Sequence, residues 1–221
     1  MNITKPSSWP TTEEEAIAIQ EQLRHRVITE DQLEEVTCVA GVDVDYNYSD
    51  NFCQGAIAVL SFPKLKVIDK AIAQRPISFP YVPGFLSFRE LPVILDAFEK
   101  LKIIPDIVLC DGHGLIHPRR LGIASHLGVL IDVPTIGVGK SFLLGKHEPV
   151  ADTRGSWQPL LDGEEVVGAV VRTRRKVKAV YVSIGHKVSL ETAIDYVVQC
   201  SPKYRLPETT RKADKFASIK V

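Results

Sequence analysis

The chain has 221 residues, and its 27 lysines and arginines are matched by 27 aspartates and glutamates, so the formal charge is zero. With 45% hydrophobic and 24% charged residues, wholesale disorder is excluded, and one domain spanning 1–221 with a sizeable core is expected. A zero sum excludes a uniformly polybasic coat for nucleic acid but not a local basic groove. The longest clearly apolar run, residues 56–60, falls far short of the roughly 20 residues of a membrane span. The opening MNITKPSSWPTTEEE lacks the apolar core of a signal peptide. Cys38, Cys53, Cys110 and Cys200 are scattered, with no CxxC pair. That argues against zinc or a disulfide framework and for small buried hydrophobes. A soluble, reduced, cytoplasmic protein is expected.

Residues 12–27 predict a helix. Thr12 and Glu15 form a capping box, Glu13 to Glu15 sit at the positive end of the dipole, and Ala16, Ile19, Leu23 and Val27 share one face. From Val36 the period becomes two, and 36–48, 52–62 and 65–77 read as three strands. The short links at 49–51 and 63–64 make them antiparallel neighbours. A helix over 85–101 and a short buried strand over 106–111 follow. The next helix is expected directly after Pro118, with that proline in its first turn and free amides at its start. A strand over 134–138, strands at 165–173 and 178–184, a helix at 189–200 and a basic tail complete the chain. In the tail, Lys203, Arg205, Arg211, Lys212, Lys215 and Lys220 outnumber Glu208 and Asp214. The order predicts an α/β fold: a mixed sheet, three antiparallel strands then parallel strands, with helices on both faces and the parallel pairings in the second half.

Several residues carry possible chemistry. Asp43 lies inside a strand among apolar residues, and Asp111 closes the run Ile107-Val108-Leu109-Cys110. A carboxylate at such a place costs desolvation unless a metal, a proton or a cation compensates; a turn-capping role is the plainer alternative. Asp45 shares a face with Asp43, which leaves it a possible ligand, with a rim position the plainer reading. The segment from Asp111 to Arg120 is dense in glycine, histidine and arginine, as a close approach to a planar or anionic ligand would need. His113 and His117 straddle a loop and are not spaced as a zinc pair. Gly139-Lys140-Ser141 imitates the end of a P-loop, but Pro134 stands where the motif needs glycine. Lys140 remains either a phosphate contact or a solvated loop lysine. Pro80 and Pro83 stiffen a tip bearing Tyr81, a wedge for a base stack or an aromatic of a local core. Glu90 falls one turn into the next helix, where it can face the sheet carboxylates.

Together these segments resemble the endonuclease V family of deaminated-base repair enzymes. The match runs through Gly41-Val42-Asp43, Pro80-Tyr81-Val82-Pro83-Gly84, Phe88-Arg89-Glu90, the long block from Asp111 to His126, Pro134 to Lys140, Gly185-His186, and Arg205 to Arg211. The resemblance implies a ribonuclease H-like fold and a magnesium-dependent phosphodiesterase, with Mn2+ able to substitute for Mg2+. It implies recognition of hypoxanthine in DNA and hydrolysis of the second phosphodiester 3′ to it, leaving 3′-hydroxyl and 5′-phosphate. Asp43 and Asp111 match the metal-binding acids, Glu90 a third catalytic acid and Lys140 the catalytic lysine. Asp214 matches a position in a C-terminal helix that is histidine in some members. Tyr81 matches the wedge; Pro83, Gly84, Leu86, Gly112, Gly114, His117 and Ile123 match the DNA-contacting set around the lesion pocket. Tail cations would hold the duplex backbone. Asp45 is acidic where the family does not require it and is left out.

Inosine-containing RNA is an alternative substrate, and a lesion-binding module without catalysis is an alternative class that would require loss of Asp43 or Asp111. A metal-free structural domain would show no magnesium effect. A monomer acting on DNA, with no membrane partner, is the expected state.

Overall fold

The computed structural model of the chain describes residues 3–219, so the tail cation Lys220 lies outside the described residues. The three expected hairpin strands are β1 (Cys38–Asn47), β2 (Phe52–Ser61) and β3 (Val67–Pro76), paired antiparallel. β4 (Ile107–Cys110) and β5 (Thr135–Gly139) join them, followed by β6 (Trp157–Asp162), β7 (Glu165–Val171) and β8 (Val180–His186), in one sheet ordered β3-β2-β1-β4-β5-β8-β7-β6. β4 runs parallel to β1 and to β5. The three junctions beyond β5 are antiparallel, so the parallel part is limited to β1, β4 and β5 and reaches back into the first half of the chain.

Five helices accompany the sheet: α1 (Glu13–Leu23), α2 (Leu86–Phe98), α3 (Ile123–Ile131), α4 (Leu190–Gln199) and α5 (Glu208–Ala217). Alternation along β1 explains why helices cover both faces. Ala40 and Val42 join Leu91, Ile94, Phe98, Leu127 and Leu130 of α2 and α3 in one core, while Val39 on the other face joins Val197 of α4 and Ala213 of α5. The result is a mixed α/β sheet with helices on both faces, the ribonuclease H-like arrangement expected. All four cysteines are free and buried.

Several local expectations are corrected. α1 ends at Leu23, and a single 3-10 turn, Arg24–Arg26, takes its place up to Val27. Thr12 accepts from the Glu15 amide, but the Glu15 carboxylate reaches the Thr11 amide at 2.8 Å. The helix after Pro118 starts five residues later: a turn with Arg120 at φ 56° intervenes, and Gly122 is the N-cap. The amides at its start are not free, because Gly122 N–H donates to Gly114 O at 3.0 Å and Ala124 N–H to His113 O at 3.0 Å. The edge strand β6 was not expected, and the basic tail is mostly the helix α5.

Candidate active site

Because β1, β4 and β5 are parallel, their C-terminal ends share one edge of the sheet, where open α/β sheets collect their ligands. Asp43 lies on β1, Asp111 follows β4, and Lys140 follows β5. α5 adds Asp214 from one face. It can approach because Gly41 has no side chain: a Cβ there would lie 2.2 Å from the Thr209 carbonyl carbon. α2 adds Glu90, whose Oε1 accepts a hydrogen bond from the Tyr46 hydroxyl at 3.0 Å. The Lys140 ammonium bonds Asp111 Oδ2. The five expected catalytic side chains are thus brought to one edge.

The electrostatics follow from crowding acids with too few cations: Lys140 is bonded to Asp111, and Arg89 and Arg205 act on Glu90 and Asp111. Burial pushes Asp43 from its usual 3.8 up to about 7, with Asp111, Asp214 and Asp45 adding to it and Lys140 opposing. Burial, then the charges of Asp43 and Asp111, push Glu90 up to about 8 against the opposing Tyr46 hydrogen bond and Arg89 charge. Asp111 is also raised: burial and Asp214 outweigh Lys140 and Arg205. For Lys140, burial acts downward, but the bond to Asp111 and the charges of Asp43 and Asp214 carry it upward.

Such a set fits a hard divalent cation. Among the described residues no three His, Cys, Asp or Glu side chains are already gathered as a cage. Magnesium does not need one: it binds through one or two carboxylates and keeps waters and phosphate oxygens for the rest. Asp43 and Asp111 could supply that pair, and raised carboxylates are the groups that a bound cation would return to the charged form.

Two cavities meet at Asp111 and Lys140. One, of about 310 Å³, is lined by Tyr81, Pro83, Gly84, Leu86, Gly112, His117 and Ile123 together with Asp111 and Lys140. Tyr81 is 72% exposed, so it is not an aromatic of a local core. Gly84 has φ 86° and Gly112 has φ 153°, backbone that side chains rarely adopt. The Gly84 carbonyl is fixed by Gln20 Nε2 at 2.9 Å and His117 Nε2 at 2.9 Å. Since that carbonyl only accepts and the Arg119 amide donates to His117 Nδ1 at 3.1 Å, the imidazole is neutral with its proton on Nε2. Burial agrees, lowering His117 to about 4. Gly114 does not line the cavity. Its amide donates to Ser183 Oγ at 2.8 Å, and a Cβ on it would meet Ile184 O, so it packs the wall from behind.

The second cavity is a larger groove of about 930 Å³ lined by Asp111, Lys140, Lys203, Lys212, Asp214 and Lys215, among others. Two tail cations are otherwise engaged. Arg205 donates to the carbonyls of Lys140 at 2.6 Å, Ala179 at 2.9 Å and Lys178 at 2.9 Å. Arg211 pairs with Glu208 at 3.2 Å and covers the Tyr204 ring. Asp45 is exposed and caps the Tyr46 amide at 2.9 Å, consistent with the rim.

Sequence reasoning missed Tyr46 and Gln20, and it gave Arg205 to the duplex backbone, whereas Arg205 ties the carbonyls of Lys140, Lys178 and Ala179. The pairing of Tyr46 with Glu90 joins a strand to a helix 44 residues away, and no local pattern signals such a contact.

The chain is similar to known proteins along most of its length. The family model "Endonuclease V" matches residues 21–215. Endonuclease V of Trichormus variabilis is 64% identical over 219 residues, covering 99% of this chain and 99% of that protein. The crystal structure of endonuclease V from Streptomyces avermitilis superposes with a TM-score of 0.91 at 45% identity, covering 98% of this chain and 96% of that one. A Ciona intestinalis endonuclease V bound to a 23-mer DNA containing an inosine followed by a ribo-adenosine superposes with a TM-score of 0.82 at 32% identity, covering 93% and 96%.

Proposed function

The chain belongs to the endonuclease V family, and from that premise we propose that it is a DNA repair endonuclease acting at deaminated bases, chiefly deoxyinosine. It hydrolyses the second phosphodiester 3′ to the lesion, leaving 3′-hydroxyl and 5′-phosphate. The observation that carries this reading is that Asp111 and Lys140 line both the smaller cavity and the larger basic groove. A base held in the first and a backbone lying in the second place a phosphate beside the acids.

A base in a duplex must leave the stack to be inspected. Tyr81, on its stiff exposed tip, fills the space left behind. The cavity receives the base against Pro83, Leu86, His117 and Ile123, and its edge meets backbone at Gly84 and Gly112. Hypoxanthine offers a donor at N1 and an acceptor at O6, the reverse of adenine, so fixed backbone groups can tell them apart. Gly114 serves by shaping the wall.

Asp43 and Asp111 would hold Mg2+, or Mn2+ in its place, and the cation would supply a water made nucleophilic at neutral pH and a stabilised leaving oxyanion. Glu90, oriented by Tyr46, would take a proton from the attacking water once a bound cation has returned it to the carboxylate form. Lys140 neutralises charge at the scissile phosphate, acting chiefly in the transition state. Asp214 completes the acidic ring from α5, and Lys203, Lys212 and Lys215 contact the duplex backbone. No helix among the described residues is long and apolar enough to cross a membrane. The reading places a monomeric, single-domain enzyme in the cytoplasm.

A second reading, an endoribonuclease acting at inosine, draws on the ribonucleotide next to inosine in the DNA bound by the Ciona relative. Matched DNA and RNA strands carrying inosine or adenine, incubated with magnesium, test both. Cleavage of inosine DNA above adenine DNA supports the main reading, and faster cleavage of inosine RNA favours the second. A lesion-binding module is disfavoured because Asp43 and Asp111 are both present.

A further inference from the structure

The hairpin after β1 carries a row of stacked groups that the proposed chemistry uses only in part. Arg89 is buried and donates to Phe79 O at 2.5 Å. Its guanidinium lies 4.5 Å from the Tyr46 ring centre. Tyr46 is tied at its hydroxyl to Glu90 and stacks on Tyr48, with centroids 5.7 Å apart and ring planes 12° apart. Tyr48 ends the row and is 72% exposed. A ring backed by a second ring, itself pinned by a cation and a carboxylate, has little freedom left to lose on binding. Its outer face is open.

The place of this ring matters. β1 runs parallel to β4 and β5, so the turn after β1 lies on the same edge as Asp111 and Lys140. Along that edge the smaller cavity is beside β4 and β5, the acids are at β1 and β4, and the β1–β2 hairpin is beyond them. The hollow at the hairpin is lined by Asp45, Tyr48, Asp50 and neutral residues, with no lysine or arginine among the described ones. That chemistry repels phosphate and favours a flat, uncharged aromatic ligand.

We infer that Tyr48 is a stacking site for an unpaired nucleobase of the substrate strand, across the acids from the lesion cavity. The inference rests on the endonuclease reading. With hydrolysis on the 3′ side of the lesion, the stacked base belongs to the 3′ flank, beyond the nicked bond.

The test uses single-stranded DNA with one inosine and 3′ flanks of one to six nucleotides, bound to the full chain without divalent metal and followed by fluorescence anisotropy. Affinity of the wild-type chain is expected to step up once the flank passes the nicked bond. Tyr48→Ala loses that step, about tenfold; Tyr48→Phe keeps it; an abasic unit at the same position removes it from the wild type. A flat flank series, a step that survives Tyr48→Ala, or indifference to the abasic unit overturns the site. Adenine-for-inosine controls separate the two ideas: equal binding of both contradicts the endonuclease reading, whereas an inosine preference without the step contradicts only the stacking site.

Discussion

Lys140 bonds Asp111 at the point where the smaller cavity and the larger groove meet. The lysine is the counter-charge bonded directly to Asp111, and a phosphate entering the groove would compete with Asp111 for it. Lys140→Ala should therefore lower kcat by about 10²–10³, the cost of losing one preorganised charge, with a smaller effect on binding. Single-turnover rates and anisotropy on the same inosine duplex check this. Equal losses in both would make Lys140 an ordinary backbone contact.

The acids predict a pH-dependent stability. The folded form holds a proton on Asp43 up to about 7, against the usual 3.8, so between these values this group binds more protons in the folded chain than in the unfolded one. Its contribution to stability then falls as pH rises through that window. Glu90, raised to about 8, acts in the same direction, whereas buried His113 and His117, lowered to about 4, and His126, lowered to about 3, add stability as pH rises toward 6.5. The Asp43 effect is therefore read as a difference: the melting temperature of metal-free wild type minus that of Asp43→Asn should fall from pH 5 to pH 8. Magnesium should restore more at pH 8 than at pH 5. A difference that climbs over this range would refute the electrostatic account.

Gly41 sets how close α5 comes. A Cβ there would collide with the Thr209 and Thr210 backbone, and overpacking of this kind costs about 1–3 kcal/mol. Gly41→Ala should unfold at lower denaturant concentration by that amount. It should also lose nicking under conditions where it is still folded, because Asp214 is carried away from Asp43. Retained activity with wild-type stability would show that α5 docks loosely.

Tyr81→Ala should weaken binding to inosine duplex by about 1–3 kcal/mol, the value of one base–aromatic stack. The loss should be smaller for inosine in single-stranded DNA, where no partner stack needs filling. Titrations with both substrates decide it; equal losses would mark Tyr81 as a general contact.

The parts of the fold legible in the sequence are those with local causes. The three hairpin strands show period-two patterning and short links, and their observed bounds fall within two residues of the reading. β6 escaped because Pro159 interrupts it, a residue tolerated only at an edge, and β6 is the edge strand. α5 was hidden by its charges, although Thr209, Ala213 and Ala217 recur every four residues and are buried. Proline at the first turn was the wrong guide to α3, since the chain needs the Arg120 turn before Gly122 can cap it. At the site, the acids at strand ends were visible because buried carboxylates demand compensation. The fixing of Glu90 by Tyr46, and of the Gly84 carbonyl by Gln20 from 64 residues away, depends on tertiary packing alone.

The most direct test is the position of the cut. A 5′-labelled duplex with one inosine, incubated with the chain in magnesium and in EDTA, is resolved beside an adenine duplex on a sequencing gel. The account predicts a single product ending one nucleotide 3′ of inosine, bearing a 3′-hydroxyl, in magnesium only and from the inosine strand only. Cleavage in EDTA, equal cutting of the adenine duplex, or a cut at another bond would contradict it.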